Sequence, residues 1–383
     1  MALHALRLSC FLSLSLLVVL CGCGSNKTVV CPLVGASNSS CGCGTPTSTA
    51  CIAPQNLYAN GLDGQIYLLS IDSGTGALGT PTSVAGASPS LGMTVLNGSF
   101  VYTSDFSMTL GAPSHVNGWA INPATGALTL VSGSPFSLGP LSVATGLASN
   151  PAAQVVYVAD AGRIDALHAD SNGALAPISG SPFASGTGLY LTVDPLFRFL
   201  FAAEDDPPGS IAAFTIDSAG ALTPVSGSPF QAVPNSTANT QPGQIAEAMN
   251  GAFLYVNLIA TGQVAGFSVD PSTGVLTPVP GSPFTAGTTP VGIVAANQHL
   301  YVSVVGGIAG YNIDSMTGAL TPLSGSPFAV NAASLAADIT GIHLYASSAD
   351  GLMAFQIGSA GDLTQIGTTI SGINASVLTT AVP

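Results

Sequence analysis

Residues 220–230 read GALTPVSGSPF, and near copies begin at Gly274 (GVLTPVPGSPF) and Gly318 (GALTPLSGSPF). The phrase carries no charge and almost no side chain able to do chemistry, so its repetition points to architecture. Working outward, an aromatic strand word precedes each copy at a fixed remove: LY at Leu57, VY at Val101, VY at Val156, LF at Leu200, LY at Leu254, LY at Leu300 and LY at Leu344. Successive spacings are 44, 55, 44, 54, 46 and 44 residues. A period near 44 repeated seven times is the mark of a closed or stacked array of one unit.

Each unit has one grammar. In the fourth, LYLTVD alternates as a strand, FLFAAE follows as a second, SIAAFTID as a third and ALTPVSGSPF as the fourth. Four strands with a tight hairpin between the third and fourth describe a propeller blade. The leading glycine of the phrase recurs as Gly76, Gly126, Gly173, Gly220, Gly274, Gly318 and Gly361, where the hairpin needs a residue that accepts positive φ. Asp72, Asn122, Asp170, Asp217, Asp270 and Asp314 stand where a side chain can cap the same turn. Pro229, Pro283 and Pro327 close an outermost strand, which tolerates a missing N–H, and Phe230, Phe284 and Phe328 are placed to fill the wedge between blades. The first unit lacks an innermost strand, whereas a strand-like tail, ASVLTTAV (375–382), remains after the last. The expectation is an all-β, seven-bladed β-propeller of four-stranded antiparallel blades over 55–383, closed by the C-terminal strand pairing into the first blade.

Composition limits the partners. Hydrophobic residues make up 47% of the 383 and charged residues 5%, so water-facing surface must be made from Ser, Thr, Asn, Gln and Gly. After residue 22 only Lys27, Arg163 and Arg198 stand against 17 acids. Nucleic acid is excluded as a partner, because no basic patch exists to replace phosphate counterions; anionic headgroups and phosphorylated substrates are repelled as well.

The amino terminus, MALHALRLSCFLSLSLLVVLCGCG, follows Arg7 with an apolar run too short for a comfortable membrane span, and reads as an export signal over 1–22. Leu20-Cys21-Gly22-Cys23 resembles a bacterial lipobox, which makes Cys23 the expected lipidated first residue and acyl chains the only membrane contact of a monomer. Residues 23–54 read as a flexible linker rich in Cys, Ser, Thr and Gly. Cys31, Cys41, Cys43 and Cys51 are disulfide candidates with three pairings open, and their spacing fits no common zinc pattern.

The succession LYVA, I-x-x-F-x-I-D, then x-x-G-x-L-T-P-V-x-G-S-P-F resembles the lactonase-type seven-bladed propellers, a family that includes bacterial 6-phosphogluconolactonase and fungal carboxymuconate cyclase. The resemblance spans about residues 56–383. It implies a site near the central channel built from a His, a Glu and arginines that hold an anionic substrate. This chain departs from that set. Arg198, in DPLFRFLF, stands in the family's D-P-x-G-R-F turn, a scaffold position, and where a family His is expected blade 4 shows Gly188-Leu189-Tyr190.

The candidate site lies on the face built by the loops between second and third strands and between blades, where the two longest units carry their extra length. Glu204, His115 and Arg163 are the catalytic candidates, with Asp105, Asp160, Asp205 and Asp206 beside them; Asp63 and Asp350 belong to the same face. Glu204 with Asp206 offers oxygens that suit calcium, but EDDPPG is no recognised calcium loop, so no cofactor and no metal are expected. His168, His299, His343 and Trp119 read as structural. Two functions remain: an exported, lipid-anchored module of the cell envelope that binds a protein or glycan without catalysis, or a hydrolase of neutral lactones or esters. The scarcity of bases favours the first. An enzyme should set a His or Arg beside a carboxylate in the channel, whereas a binding module can line it with neutral side chains.

Overall fold

The computed structural model describes residues 55–86, 90, 92–105, 114–139, 144–160 and 162–382, all strands and turns. The candidates Cys23, Cys31, Cys41, Cys43 and Cys51, with the export signal and linker, lie outside the described residues. Seven antiparallel sheets follow in chain order, each running from an inner strand through a second and third to an outer strand. Blade 4 shows the pattern: Gly188–Val193, Phe199–Glu204, Ser210–Ile216 and Leu222–Pro224. Blade 1 is completed by the tail, since Ala375–Ala381 pairs antiparallel with Gln55–Gly61, Tyr58 opposite Thr379. The ring therefore closes as the sequence predicts, the tail supplying the inner strand that covers the edge of Gln55–Gly61.

The core lies between blades. Tyr58, Met93, Val101 and Trp119 form one cluster across blades 1 and 2, and Phe201, Ile211, Leu254 and Phe267 another across blades 4 and 5. Phe230, Phe284 and Phe328 pack half-buried against such clusters. The hairpin glycines all have positive φ, from 72° at Gly76 to 86° at Gly220. In six of the seven turns an Asp or Asn side chain accepts from the backbone, as where Asp217 takes the N–H of Ala219 and Ala221 at 2.8 Å; blade 7 has Gly358 at that place.

The outer strand differs from expectation. It is not one strand closed by proline but two pieces: Leu222–Pro224 pairs with one end of the third strand and Phe230–Gln231 with the other. Between them Ser228 Oγ accepts the N–H of Ala213 at 2.9 Å, and the same bond recurs from Gly118 to Ser134, Ala166 to Ser181, Gly266 to Ser282 and Gly310 to Ser326. The serine hydroxyl thus substitutes for a carbonyl where the chain leaves the ladder. That is the physical reason for the S in G-S-P-F.

Blades are stapled to one another by the aromatic word. Tyr58, Tyr102, Tyr157, Tyr255, Tyr301 and Tyr345 donate their hydroxyls to the carbonyls of Gly126, Gly173, Gly220, Gly318, Gly361 and Gly76, each in the next blade, at 2.7–3.1 Å. Burial pushes Tyr58 up to about 12 and raises the others too, so every hydroxyl stays protonated and can donate.

Candidate functional site

The topology separates two faces. One, the hairpin face, carries the inner-to-second turns and the third-to-outer hairpins; the other, the long-loop face, carries the second-to-third turns and the connections between blades. The candidate residues lie on the long-loop face: Asp205 and Asp206 in the loop that the sequence suggests, but Asp105, His115, Asp160, Arg163 and Glu204 at strand ends. Asp105, Asp160 and Glu204 are the last residues of second strands, directly opposite His115, Arg163 and Ser210, the first of third strands. Ending a β-ladder fixes these side chains more firmly than a loop would.

In blade 3 the Arg163 guanidinium is held on two sides. Nη2 lies 2.6 Å from Asp160 Oδ2 and Nε 3.2 Å from Asp165 Oδ2, while Nη2 also donates to the Leu138 carbonyl at 3.3 Å. Asp160 is fully buried and Asp165 nearly so. Burial, then the adjacent Asp160, pushes Asp165 up to about 6 despite the arginine. Burial alone would disfavour the Arg163 charge, but the two aspartates outweigh it and hold the guanidinium above its usual value.

In blade 4 Glu204 is buried, not solvated. Its Oε1 accepts from Ser185 Oγ at 2.8 Å and the Gly186 N–H at 2.6 Å, and its Oε2 from Ser210 Oγ at 2.9 Å. Asp206 accepts from the Thr187 N–H at 2.6 Å and the Thr187 hydroxyl at 2.9 Å. Asp205 has a buried, unpartnered Oδ1, and burial with the nearby Asp206 raises its carboxyl. In blade 2 His115 Nδ1 stands 3.9 Å from Asp105 Oδ2, beyond hydrogen-bond reach.

The connections between blades join these groups. Ser185, which binds Glu204, donates its N–H to Gly162 beside Arg163 at 3.3 Å; Leu138, which accepts from Arg163, donates its own to Ser114 beside His115 at 3.1 Å. Arg163 and Glu204 therefore sit on adjoining blades through one connecting segment, and His115 joins them only through backbone. Among the described residues no three His, Cys, Asp or Glu side chains form a group that could hold a metal.

The channel is of another character. A cavity of about 150 Å³ there is lined by inner-strand residues including Met93, Leu147, Tyr190, Gln244, Leu335 and Leu378. Its one titratable group is Tyr190, raised further by burial. Neither Arg163 nor Glu204 lines it. Where blades 6 and 7 meet, the long-loop face has a recess of about 320 Å³ lined by uncharged residues, among them Val304, Val305, Ala332 and Ala349.

Sequence reasoning missed Asp165 and the donors Ser185, Ser210 and Thr187, because a serine that binds a carboxylate looks like any other in a chain so rich in serine. It also missed Glu247, in the inner strand Pro242–Ala248 toward the hairpin face, whose Oε1 accepts from Thr192 at 3.2 Å and whose Oε2 is buried without a partner. The signal was there: a lone acid in QIAEAMN, within a strand otherwise free of charge.

The fold is that of the lactonase-type seven-bladed propellers. The "putative 6-phosphogluconolactonase" of Bacteroides fragilis is 18% identical with a TM-score of 0.70, covering 87% of this chain and 99% of its own. That of Bacteroides uniformis is 19% identical with a TM-score of 0.71, covering 86% and 100%. The periplasmic gluconolactonase PpgL of Pseudomonas aeruginosa is 16% identical with a TM-score of 0.66, again covering 86% and 100%. No protein-family model and no curated protein sequence matches the chain.

Proposed function

We propose that this chain is an exported, lipid-anchored propeller of the bacterial cell envelope that binds a protein partner through its long-loop face and catalyses no reaction. One observation carries the reading: Glu204 and Arg163, the carboxylate and the cation of that face on which a hydrolase would draw, are already engaged within the protein. Both oxygens of Glu204 accept from the chain's own donors, and Arg163 is spent on two aspartates and a carbonyl. A general base needs a free lone pair toward its substrate, and an anion-binding arginine needs a free fork. The acids of blades 2–4 outnumber the single Arg163, so a partner with basic side chains suits the surface. Export and the anchor rest on the apolar run after Arg7 and on Leu20-Cys21-Gly22-Cys23.

A second reading is a hydrolase of a neutral lactone, favoured by the placement of Arg163 and Glu204 on adjoining blades. The full-length protein should release no acid above background from a panel of neutral and charged lactones. Turnover that Glu204→Gln abolishes, with the melting temperature kept, would replace the binding reading with the hydrolytic one.

A further inference from the structure

The inner-to-second turns on the hairpin face place residues in the left-handed region: Asn97 (φ 54°) with Gly98 (63°) in blade 2, Gln154 (57°) in blade 3, Met249 (53°) with Asn250 (56°) and Gly251 (79°) in blade 5, Asn297 (53°) in blade 6 and Gly341 (65°) in blade 7. Blade 4 alone uses an aromatic, Phe197, at φ 59°. Phenylalanine is poorly tolerated there, since its Cβ crowds the backbone, whereas glycine would cost nothing. A strained residue persists where its side chain has a task elsewhere.

Phe197 lines a groove of about 480 Å³ across blades 3, 4 and 5. Leu196, 59% exposed, stands beside it, with Ala152 and Pro271 completing an apolar wall. Thr215, Ser218 and Ser272 bring hydroxyls. The two charged groups at the groove are satisfied within the protein: Arg198 pairs with Asp194 at 2.8 Å and donates to the Pro271 carbonyl at 2.9 Å, and Asp217 caps its own turn. The groove thus offers an apolar wall with an aromatic ring, neutral hydroxyls and a cation already paired with Asp194.

We propose that this groove is a binding site for a neutral carbohydrate, with Phe197 as the ring against which a sugar face lies. A pyranose matches such a wall, since one face is apolar C–H surface and the rim is hydroxyl, and a charged glycan would find no counter-ion. The site lies on the opposite face from the protein-binding surface proposed above and does not depend on it.

The test uses the full-length protein and neutral hexasaccharides of glucose (α- and β-linked), xylose and N-acetylglucosamine, followed by calorimetry or ligand-observed NMR. At least one should bind, and Phe197→Gly should weaken it tenfold or more without lowering the melting temperature, because glycine relieves the left-handed turn. Leu196→Ser should weaken the same sugar with the fold intact. If no hexasaccharide binds at millimolar concentration, or if Phe197→Gly binds as well as the parent, the site is not there. A Phe197→Gly variant that loses stability as well as binding would assign the ring to packing and overturn the proposal equally.

Discussion

Six of the seven blade junctions share one device, and the seventh does not. From Tyr58 round to Tyr345, a neutral phenol reaches across to the next blade's hairpin glycine. Between blades 4 and 5 the corresponding residue is Phe201, which has no hydroxyl to give. There Arg198 donates to the Pro271 carbonyl at 2.9 Å, and Thr192 to Glu247 at 3.2 Å. The difference is one of chemistry more than of strength. A phenol that stays protonated is indifferent to ordinary changes of pH, whereas a junction built on a buried carboxyl is not. Burial first, then the nearby Asp194, pushes Glu247 up to about 8.

The largest effect expected from this contrast is in the pH dependence of stability. Glu247 titrates near 4.3 when unfolded and near 8 when folded, so the folded chain favours the protonated form. Its stabilisation is complete below about pH 4 and is lost as pH rises through 8, a change of roughly 3–5 kcal/mol. Urea unfolding at pH 5 and pH 9 should show that loss, and Glu247→Gln should remove most of it. Asp165, raised to about 6, adds a slope of the same sign. Asp72, Asp270, Asp314 and Asp338 are held low by hydrogen bonds and act oppositely, losing their contribution only in acid, as pH falls through their folded values. A flat profile between pH 5 and 9 would dissolve the contrast between the junctions.

Next in size are the tyrosines themselves. Tyr345→Phe strips the Gly76 carbonyl of its partner at the closing junction and should cost about 1–3 kcal/mol, read as a lower urea midpoint with unchanged slope; Tyr157→Phe should behave alike, with no added pH dependence. Ser228→Ala leaves the Ala213 N–H without its acceptor and should cost about 1 kcal/mol, because the outer strand is nearer to water. The smallest effect is the converse repair. Phe201→Tyr should add at most about 1 kcal/mol if its hydroxyl reaches the Gly274 carbonyl. A loss instead would show that Phe199, whose ring lies against Gly274, has taken that space.

Much of this scaffold was legible in the chain because it is periodic. Seven aromatic words, seven hairpin glycines and an unmatched C-terminal strand fix blade number, hairpins and closure, since each has a local physical cause repeated in register. The break in the outer strand was not legible: proline signals an edge, but only coordinates show Ser228 supplying the acceptor that lets the chain leave the ladder and return. At the candidate site, the residue types and the face were readable and the environment was not. EDDPPG looks like a solvated acidic loop, yet Glu204 ends a strand under three donors drawn from its neighbours in space. Arg163 looks free in ADAGRIDAL, yet Asp165, two residues on, returns to the same side of the strand and neutralises it. Phe197 lay in plain sight within DPLFRFLF, and only its φ value sets it apart.

The pairing of Ala375–Ala381 with Gln55–Gly61 has a consequence for how this protein is made. The strand that completes the first blade is made after all the strands of the other six, so the oldest part of the propeller waits for the newest. A chain that stops before Ala375 leaves blade 1 without its inner strand and its second strand exposed along an edge. Closure of the ring is thereby written into the folded state, and an open edge on blade 1 marks a ring that has not closed.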